Sequence, residues 1–458
     1  MDLDERERRR TVAVSRVEDL QGAGVVGVAA TFTDNSGITR VKAVPLDKLP
    51  DLAAWGVGST PAFDLFNFND LIAAAPDGST VVGDHRVIPD LDRLVVLAGR
   101  PGWAWAPAER YEQSGEPHAG CSRLLLRRLV DGLGAQGLTV KAAFEIEWVV
   151  SAGDGDAFSP AASGPGYGMA RLGEASAYSA DVLDALGAQG VEVLQYHPEY
   201  APGQFEVSVA AEDPVSAADT SVLVRDTIRA VGESYGFRTS YSPKVAVSGV
   251  GNGGHVHLSL WRDGMNLMAG GDRRHGLTGD GEAFTAGILW HLPALMAVGA
   301  PSLVSYLRLE PSHWAGIYAC WGLENREAAV RLIAGSQDNA SWAANVEVKA
   351  FDLTANPYLV LGGLIACGSA GMGDGAALPD PVDVDPAALS DDERAAQGID
   401  RLPGSLADST DLFESDAALA EAFGPAVHGA IVAVRRNEIA TFADATPEEI
   451  ADATRWAH

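Results

Sequence analysis

Apolar and polar residues alternate in four separate stretches of the chain, and a period of two marks a strand with unlike faces. In KAAFEIEWVV, residues 141–150, Phe144, Ile146 and Trp148 oppose Glu145 and Glu147. In GQFEVSVA, Phe205, Val207 and Val209 oppose Gln204, Glu206 and Ser208. In GGHVHLSL, Val256, Leu258 and Leu260 oppose His255, His257 and Ser259, and in NVEVKAFD, Val346, Val348 and Ala350 oppose Glu347 and Lys349. Elsewhere, residues 24–44 predict two strands with DNSG as the turn between them. Helices are predicted over 122–136, 179–189, 282–300, 415–440 and 446–456. Another runs to about Gly236 from Asp213 as N-cap and Pro214 as first helical residue. Two short strands around a Pro/Gly turn occupy 191–209. A Gly- and Ser-rich loop is expected over 151–168, and the acidic, Pro- and Gly-rich segment 373–411 is expected to be mobile. A small β-rich unit is expected to end near residue 100.

Four solvated strand faces would explain the alternation, but such faces usually carry Thr, Ser, Lys and Arg in mixture. These carry carboxylate and imidazole instead. The second reading is a sheet whose apolar side packs on helices while its polar side lines a cleft. Crowded carboxylates repel one another unless cations lie between them. Oxygen-rich ligation suits Mg²⁺ or Mn²⁺, and an imidazole makes Mn²⁺ acceptable.

Composition narrows the partners. The 458-residue chain is 47% hydrophobic, which fits a packed protein of two domains, or of one large domain with an appendage. With 62 acidic against 33 basic residues the formal charge is −29, which argues against nucleic acid or an anionic membrane. Cys121, Cys320 and Cys367 are too few and too scattered for a disulfide framework or a cysteine-built zinc site. The charged start MDLDERERRR does not read as a signal segment, and no run of about 18 apolar residues appears. A soluble, cytoplasmic protein is expected.

Two glycine patterns exclude common nucleotide sites. Gly249, Gly251 and Gly254 match G-x-G-x-x-G, but the chain continues as a strand where a dinucleotide fingerprint must open a helix. No P-loop pattern occurs. Arg308 in SYLRLEPSHWAG, Arg326 in ENREAAV and Arg331 just after it are suited to clamp carboxylate and phosphate, though each alone reads equally as a surface arginine.

In order along the chain, the blocks FTDNSGITRVKAVP, FEIEW, HPEYAPGQFEVS, YSPKVAVSGVGNGGHVHLSL, SYLRLEP…WGLENREAAVRL and NVEVKAFDLTANPYL resemble the glutamine synthetase family. The subgroup is similar to γ-glutamyl-amine ligases. The resemblance implies an α+β fold: a small N-terminal β-grasp-like domain, residues 1–100, and a catalytic domain, residues 101–458, with a curved antiparallel half-barrel covered by helices. It implies two or three Mg²⁺ or Mn²⁺ ions per site, with Glu147, Glu199 and Glu206 holding one and Glu145, His255 and Glu347 another. His257 and Ser259 would meet ATP, Arg326 and Arg331 the phosphates, and Arg308 and the backbone of Gly251 the acid substrate. The implied reaction forms an acyl phosphate from ATP and glutamate, which an amine then displaces. The implied assembly is a homo-oligomer, a dodecamer of two hexameric rings with active sites shared between neighbours.

The departures bear on the amine. Ammonia-using members carry an acidic flap residue six positions after the substrate arginine, where this chain has Trp314. A tryptophan packs instead against the carbon skeleton of a larger amine, or covers its cation. Lys349 stands where an arginine is expected on the acid's α-carboxylate, and Val250 where an asparagine is expected. Asp64 in AFDLF corresponds to the ammonium-binding aspartate, without its flanking serines. The tyrosine of adenylylation-controlled members has no match in 373–411. The sequence therefore favours a ligase using glutamate, ATP and an organic amine. Ordinary glutamine synthesis, a ligase for another acid, and a metal-binding or regulatory relative without turnover are the alternatives.

Overall fold

The computed structural model describes residues 1–75, 82–153, 155–336 and 338–458. Residues 76–81 of the N-terminal unit, Asp154 in the loop expected at 151–168, and Gln337 lie outside the described residues. An N-terminal helix, Leu3–Gly22, precedes a six-stranded sheet. Its strands are β1 (Gly27–Thr33), β2 (Thr39–Pro45), β3 (Val57–Ser59), β4 (His85–Pro89), β5 (Val95–Val96) and β6 (Trp103–Tyr111). The β1–β2 hairpin is antiparallel, as its turn predicts, and β1 also pairs in parallel with β6. The first sheet thus reaches Tyr111, past the boundary expected at residue 100. Pairing between β1 and β6 spans too much sequence to be read from local pattern.

The second sheet has ten strands: β7 (Leu138–Ala152), β8 (Val193–Pro198), β9 (Gln204–Val209), β10 (Phe237–Ser240), β11 (Val256–Arg262), β12 (Met265–Asn266), β13 (Tyr318–Leu323), β14 (Ala328–Ile333), β15 (Asn345–Val348) and β16 (Asp400–Arg401). Its main order, β16-β13-β14-β15-β11-β7-β9-β8, sets the four alternating strands side by side. All pairs are antiparallel except β13 with β14. The apolar faces form the core: Ile146, Trp148, Phe205, Val207, Val256, Val346 and Val348 are all fully buried. Helices Ser122–Gly134, Pro214–Ser234, Gly279–Gly299 and Pro357–Asp374 contribute to the same core cluster. Each such side chain contributes about 1.5–3 kcal/mol by leaving water. The Pro214 helix starts as predicted, with Asp213 accepting from the Ser216 N–H.

The segment 373–411 is ordered, contrary to the expectation of mobility. It holds a 3₁₀ turn, Pro386–Ala388, a capped helix, Asp391–Gln397, and β16. Its extended part is tied down by backbone acceptors: Trp321 Nε1 donates to the Pro379 carbonyl, and Asn325 Nδ2 to those of Val382 and Val384. Composition registers flexibility and does not see such partners. Helix Ala417–Thr441 is long and apolar enough to cross a membrane by length and composition alone. Here it kinks at Gly424 before Pro425 and buries Val427, Ile431 and Val434 together with Arg435 and Glu438, as a core helix does.

One buried cation ties the first sheet to two helices of the main core. Arg123, at the start of its helix, donates to Glu109 of β6 at 2.6 Å, to Asp90 after β4 at 2.7 Å, and with two nitrogens to Asp219 at 2.9 and 3.0 Å. Removing the guanidinium leaves the buried Asp219 with only the Tyr358 hydroxyl and a longer contact to Arg93, and leaves Glu109 and Asp90 to Arg127. Arg123→Ala is therefore expected to cost about 3–5 kcal/mol of stability, read from urea unfolding, with Arg123→Lys recovering only part because the fork is lost.

Candidate active site

The polar side of the four strands opens on a cavity of about 930 Å³. Glu145, Glu147, Glu206, His255, His257, Glu347 and Lys349 line it from the sheet, with Glu199 from the turn after β8. Gly251, Val250, Arg308, Trp314, Arg326 and Arg331 complete much of the wall. The sequence-predicted residues thus meet in one place, with two exceptions. Ser259 shares the strand face but sits off the cavity wall, its hydroxyl taken by the Trp261 indole N–H at 2.8 Å. Asp64 lies in the N-terminal 3₁₀ turn Pro61–Leu65, and its carboxylate is held by Arg110 at 2.5 Å and His118 at 2.8 Å. It does not line the cleft of its own chain. A motif match fixes a residue's neighbours in sequence, not the site its side chain reaches.

Register explains why the ligands cluster. Glu147 of β7 lies opposite Glu206 of β9, and Glu206 lies opposite His197 of β8. His257 of β11 lies opposite Glu347 of β15, and Glu347 opposite Arg331 of β14. Donor atoms of His197, Glu199 and Glu206 lie within 4.8 Å of one another, as do those of Glu145, His257 and Glu347. These sets overlap the two implied by the resemblance but differ in their imidazoles. His197 enters one, and His257 is as close to the other as His255, whose Nδ1 is 3.0 Å from Glu145 and 3.2 Å from Glu347. His197 was missing from the sequence reading. Its signal was its position two residues before Glu199, in HPEY.

The remaining groups hold these donors still. Gln204 Nε2 donates to Glu147 at 3.0 Å and to Asn252 Oδ1 and the Gly251 carbonyl, while the Gly253 N–H donates to Glu147 at 2.8 Å. The Tyr167 hydroxyl donates to Glu199 at 2.8 Å, and its ring stacks on His197 at 5.6 Å. Tyr167 comes from the Gly/Ser-rich loop, where composition gave no reason to seek a functional residue. Arg308 is buried with its Nη1 unpartnered, a guanidinium prepared for an anion. Lys349 does not reach out as a free charge: its ammonium donates to Glu347 at 2.9 Å. Arg331 bridges Glu347 and Glu324, and the Arg326 guanidinium lies 5.9 Å from the half-exposed Trp314 ring.

Charge is unevenly satisfied. Burial opposes ionisation of Glu347, but Lys349 and then the two histidines hold it at about 2. Burial likewise opposes ionisation of Glu145, yet hydrogen bonds with His255 and His257 keep it well below the usual carboxylate range. Burial pushes Glu147 up, and Glu206 is driven to about 10 by burial and then by the charges of Glu145, Glu147 and Glu199. Burial would lower His257, but its bond to Glu145 raises it to about 9. Oxygen donors that cannot all ionise together fit a divalent cation of the Mg²⁺ or Mn²⁺ kind, which replaces the proton.

Comparison with known proteins agrees with this chemistry. Residues 119–452 match the catalytic domain of glutamine synthetase, and the chain belongs to the glutamine synthetase family. Among its relatives, the gamma-glutamylpolyamine synthetase GlnA3 of Streptomyces coelicolor is 52% identical over 441 residues, covering 96% of this chain and 95% of that protein. The glutamine synthetase of Halobacterium salinarum is 30% identical, covering 93% of this chain and 92% of that one. Among solved structures, a glutamine synthase homolog superposes with a TM-score of 0.85 at 32% identity, covering 95% of this chain and 99% of its own. A GmaS/ADP complex follows at 0.82 and 26%, covering 94% and 96%.

Two measurements test the charge reading. Mn²⁺ added to metal-free protein in weak buffer at neutral pH is expected to release protons, and Glu206→Gln is expected to reduce that release. For an acid raised on folding, or a base likewise raised, the folded state binds more protons than the unfolded one, so stability falls as pH rises. Glu206 and His257 act in the same direction. The Tm of the metal-free protein is expected to fall from neutral pH towards about 10, the window that Glu206 sets, with Mn²⁺ flattening the slope.

Proposed function

We propose that the protein is an ATP-dependent ligase that joins an organic amine of the polyamine type to the γ-carboxylate of glutamate through γ-glutamyl phosphate. The observation that carries this reading is Trp314, an aromatic face at the rim of a metal-type cleft where ammonia-using relatives place a carboxylate. A cationic amine with a carbon chain is a better match to that face than ammonium, which is small and needs an anion to hold it. The 52% identity to a gamma-glutamylpolyamine synthetase supports the same choice of amine.

The chain's residues divide the work by position. Glu145, His255, His257 and Glu347, with Glu147, His197, Glu199 and Glu206, would hold Mg²⁺ or Mn²⁺, which neutralises phosphate charge and aligns the γ-phosphoryl group. Arg308 binds a carboxylate of glutamate, with the Gly251 carbonyl beside it, and keeps the γ-carboxylate in line with ATP. A γ-carboxylate oxygen attacks the γ-phosphorus and ADP leaves. Arg326 and Arg331 stabilise the charge that spreads over the transferring group. The amine nitrogen then attacks the acyl carbon, phosphate leaves, and the ammonium that forms gives up a proton. Lys349, tied to Glu347, lacks the fork of an arginine, so the glutamate site is less completely gripped from that side. The reading includes a homo-oligomeric ring, dodecameric by family resemblance, and a cytoplasmic location.

Phosphate release from ATP with glutamate and Mg²⁺ or Mn²⁺ tests the proposal. Release is expected to be strong with di- or polyamines and weak with ammonia; ammonia as the best acceptor overturns the polyamine assignment. A cation–aromatic contact of about 0.5–2 kcal/mol predicts that Trp314→Ala raises the KM for the amine about 2- to 30-fold while the KM for ATP stays put. Trp314→Glu is expected to move preference towards ammonia.

A further inference from the structure

Three large aromatic side chains line the cleft while staying open to water: Tyr167 is 49% exposed, Trp314 50% and Tyr200 61%. Aromatic surface left uncovered in a concave site is surface available to a ligand. Two of the three are already engaged. Tyr167 donates to Glu199 and stacks on His197, and the Trp314 ring has the Arg326 guanidinium beside it. Among the described residues, the Tyr200 ring meets no other ring or cation, and its hydroxyl makes no hydrogen bond.

The backbone under that ring is held on every side. The Tyr200 N–H donates to Glu199 Oε2 at 2.6 Å, and its carbonyl accepts from Nη1 of the buried Arg171 at 3.2 Å. Gly166 lies against it, since a Cβ there would stand 3.1 Å from Tyr200 Cα. The next residue fixes which end of the cleft this is. The Ala201 N–H donates to Gln204 Oε1 at 2.9 Å, and Gln204 Nε2 donates to the Gly251 carbonyl at 3.1 Å. Gly251 in turn is packed on Arg308, whose Cγ would be 2.9 Å from a Cβ built on it. Tyr200 is thus tied to the end that receives the acid, six residues upstream of Trp314 through Arg308.

We propose that Tyr200 determines which length of amine the enzyme prefers, its ring packing on the carbon chain beyond the part that Trp314 covers. The inference rests on the organic-amine reading above and adds the residue that measures the amine. A fixed backbone with a free ring gives a wall whose position does not depend on the ligand. Methylenes gain by leaving water against such a face, and a protonated nitrogen further along the chain is drawn to its π-electrons. Ammonia has no chain to offer and gains nothing there.

The test compares straight-chain α,ω-diamines as acceptors for the full-length enzyme, by phosphate release from ATP with glutamate and Mg²⁺. Tyr200→Ala is expected to lower the ratio of kcat/KM for 1,8-diaminooctane to that for 1,3-diaminopropane about 10-fold, the effect of roughly two buried methylenes. The KM values for glutamate and ATP are expected to stay put, and Tyr200→Phe to keep the wild-type ratio. Because the ring supports no core, Tyr200→Ala is expected to keep the wild-type Tm and oligomeric size. A wild-type ratio in Tyr200→Ala overturns the proposal. So does an equal loss on every diamine with a raised KM for glutamate, which would mean a damaged Glu199 turn. A change in oligomeric size also overturns it, by giving the ring to a subunit contact. Ammonia as the best acceptor of the wild type overturns the organic-amine reading and this one with it; diamines as the best acceptors with an unchanged ratio overturn the role of Tyr200 alone.

Discussion

Crowding of like charge on a sheet that cannot turn away organises this protein. Glu145 and Glu147 belong to a strand whose other face, Phe144, Ile146 and Trp148, is buried in the main core. Rotating the carboxylates towards bulk water would expose those side chains, at about 1.5–3 kcal/mol each. The same holds for Glu206 beside Phe205 and Val207, and for Glu347 beside Val346 and Val348. The carboxylates therefore stay together, and their repulsion is relieved by protons, by neighbouring histidines and lysine, or by divalent metal. A stable core thus maintains a site that is unstable when empty of cations.

The two ends of the cavity are built from different materials. The floor is strands, in which each ligand's position follows from register and is fixed to within a fraction of an ångström by packing. The rim near Trp314 is loop, and its shape rests on local backbone geometry. Ser312, Trp314 and Gly316 all have positive φ, at 55°, 56° and 63°. The loop is held by Ser312 Oγ donating to Asp385 and the Trp314 N–H donating to Glu327. Chemistry common to a family belongs on the rigid floor, while the choice of amine belongs where a residue can be exchanged without disturbing a sheet.

The ordered segment 373–411 bears on that rim directly. Asp385, in the stretch whose composition suggested mobility, is the anchor for Ser312. The segment's acidic, Pro-rich character is that of a solvated strap, and its order comes from side chains of β13 and the turn after it that reach its carbonyls. Specificity at Trp314 therefore depends on residues about seventy positions away in sequence.

Residue order alone determined the periodicities: which side chains share a strand face, where Asp213 caps a helix, and that Glu145, Glu147, Glu206, His255, His257 and Glu347 stand opposite apolar partners. Those are local consequences of a two-residue or 3.6-residue repeat, and the structure keeps every one of them. The family's motif order extended that reading to the arginines and to Trp314. Register between strands was not legible, because backbone hydrogen bonds are alike at every position and only packing selects one alignment. So His197 joined Glu206 unforeseen, His257 came as close to Glu145 as His255, and Lys349 turned to Glu347. Asp64 was recognisable by its flanking residues yet went to Arg110 and His118, because a side chain's destination is set by what the fold places within about 3 Å of it. Sequence fixed the face each group would occupy, and tertiary packing chose its neighbours.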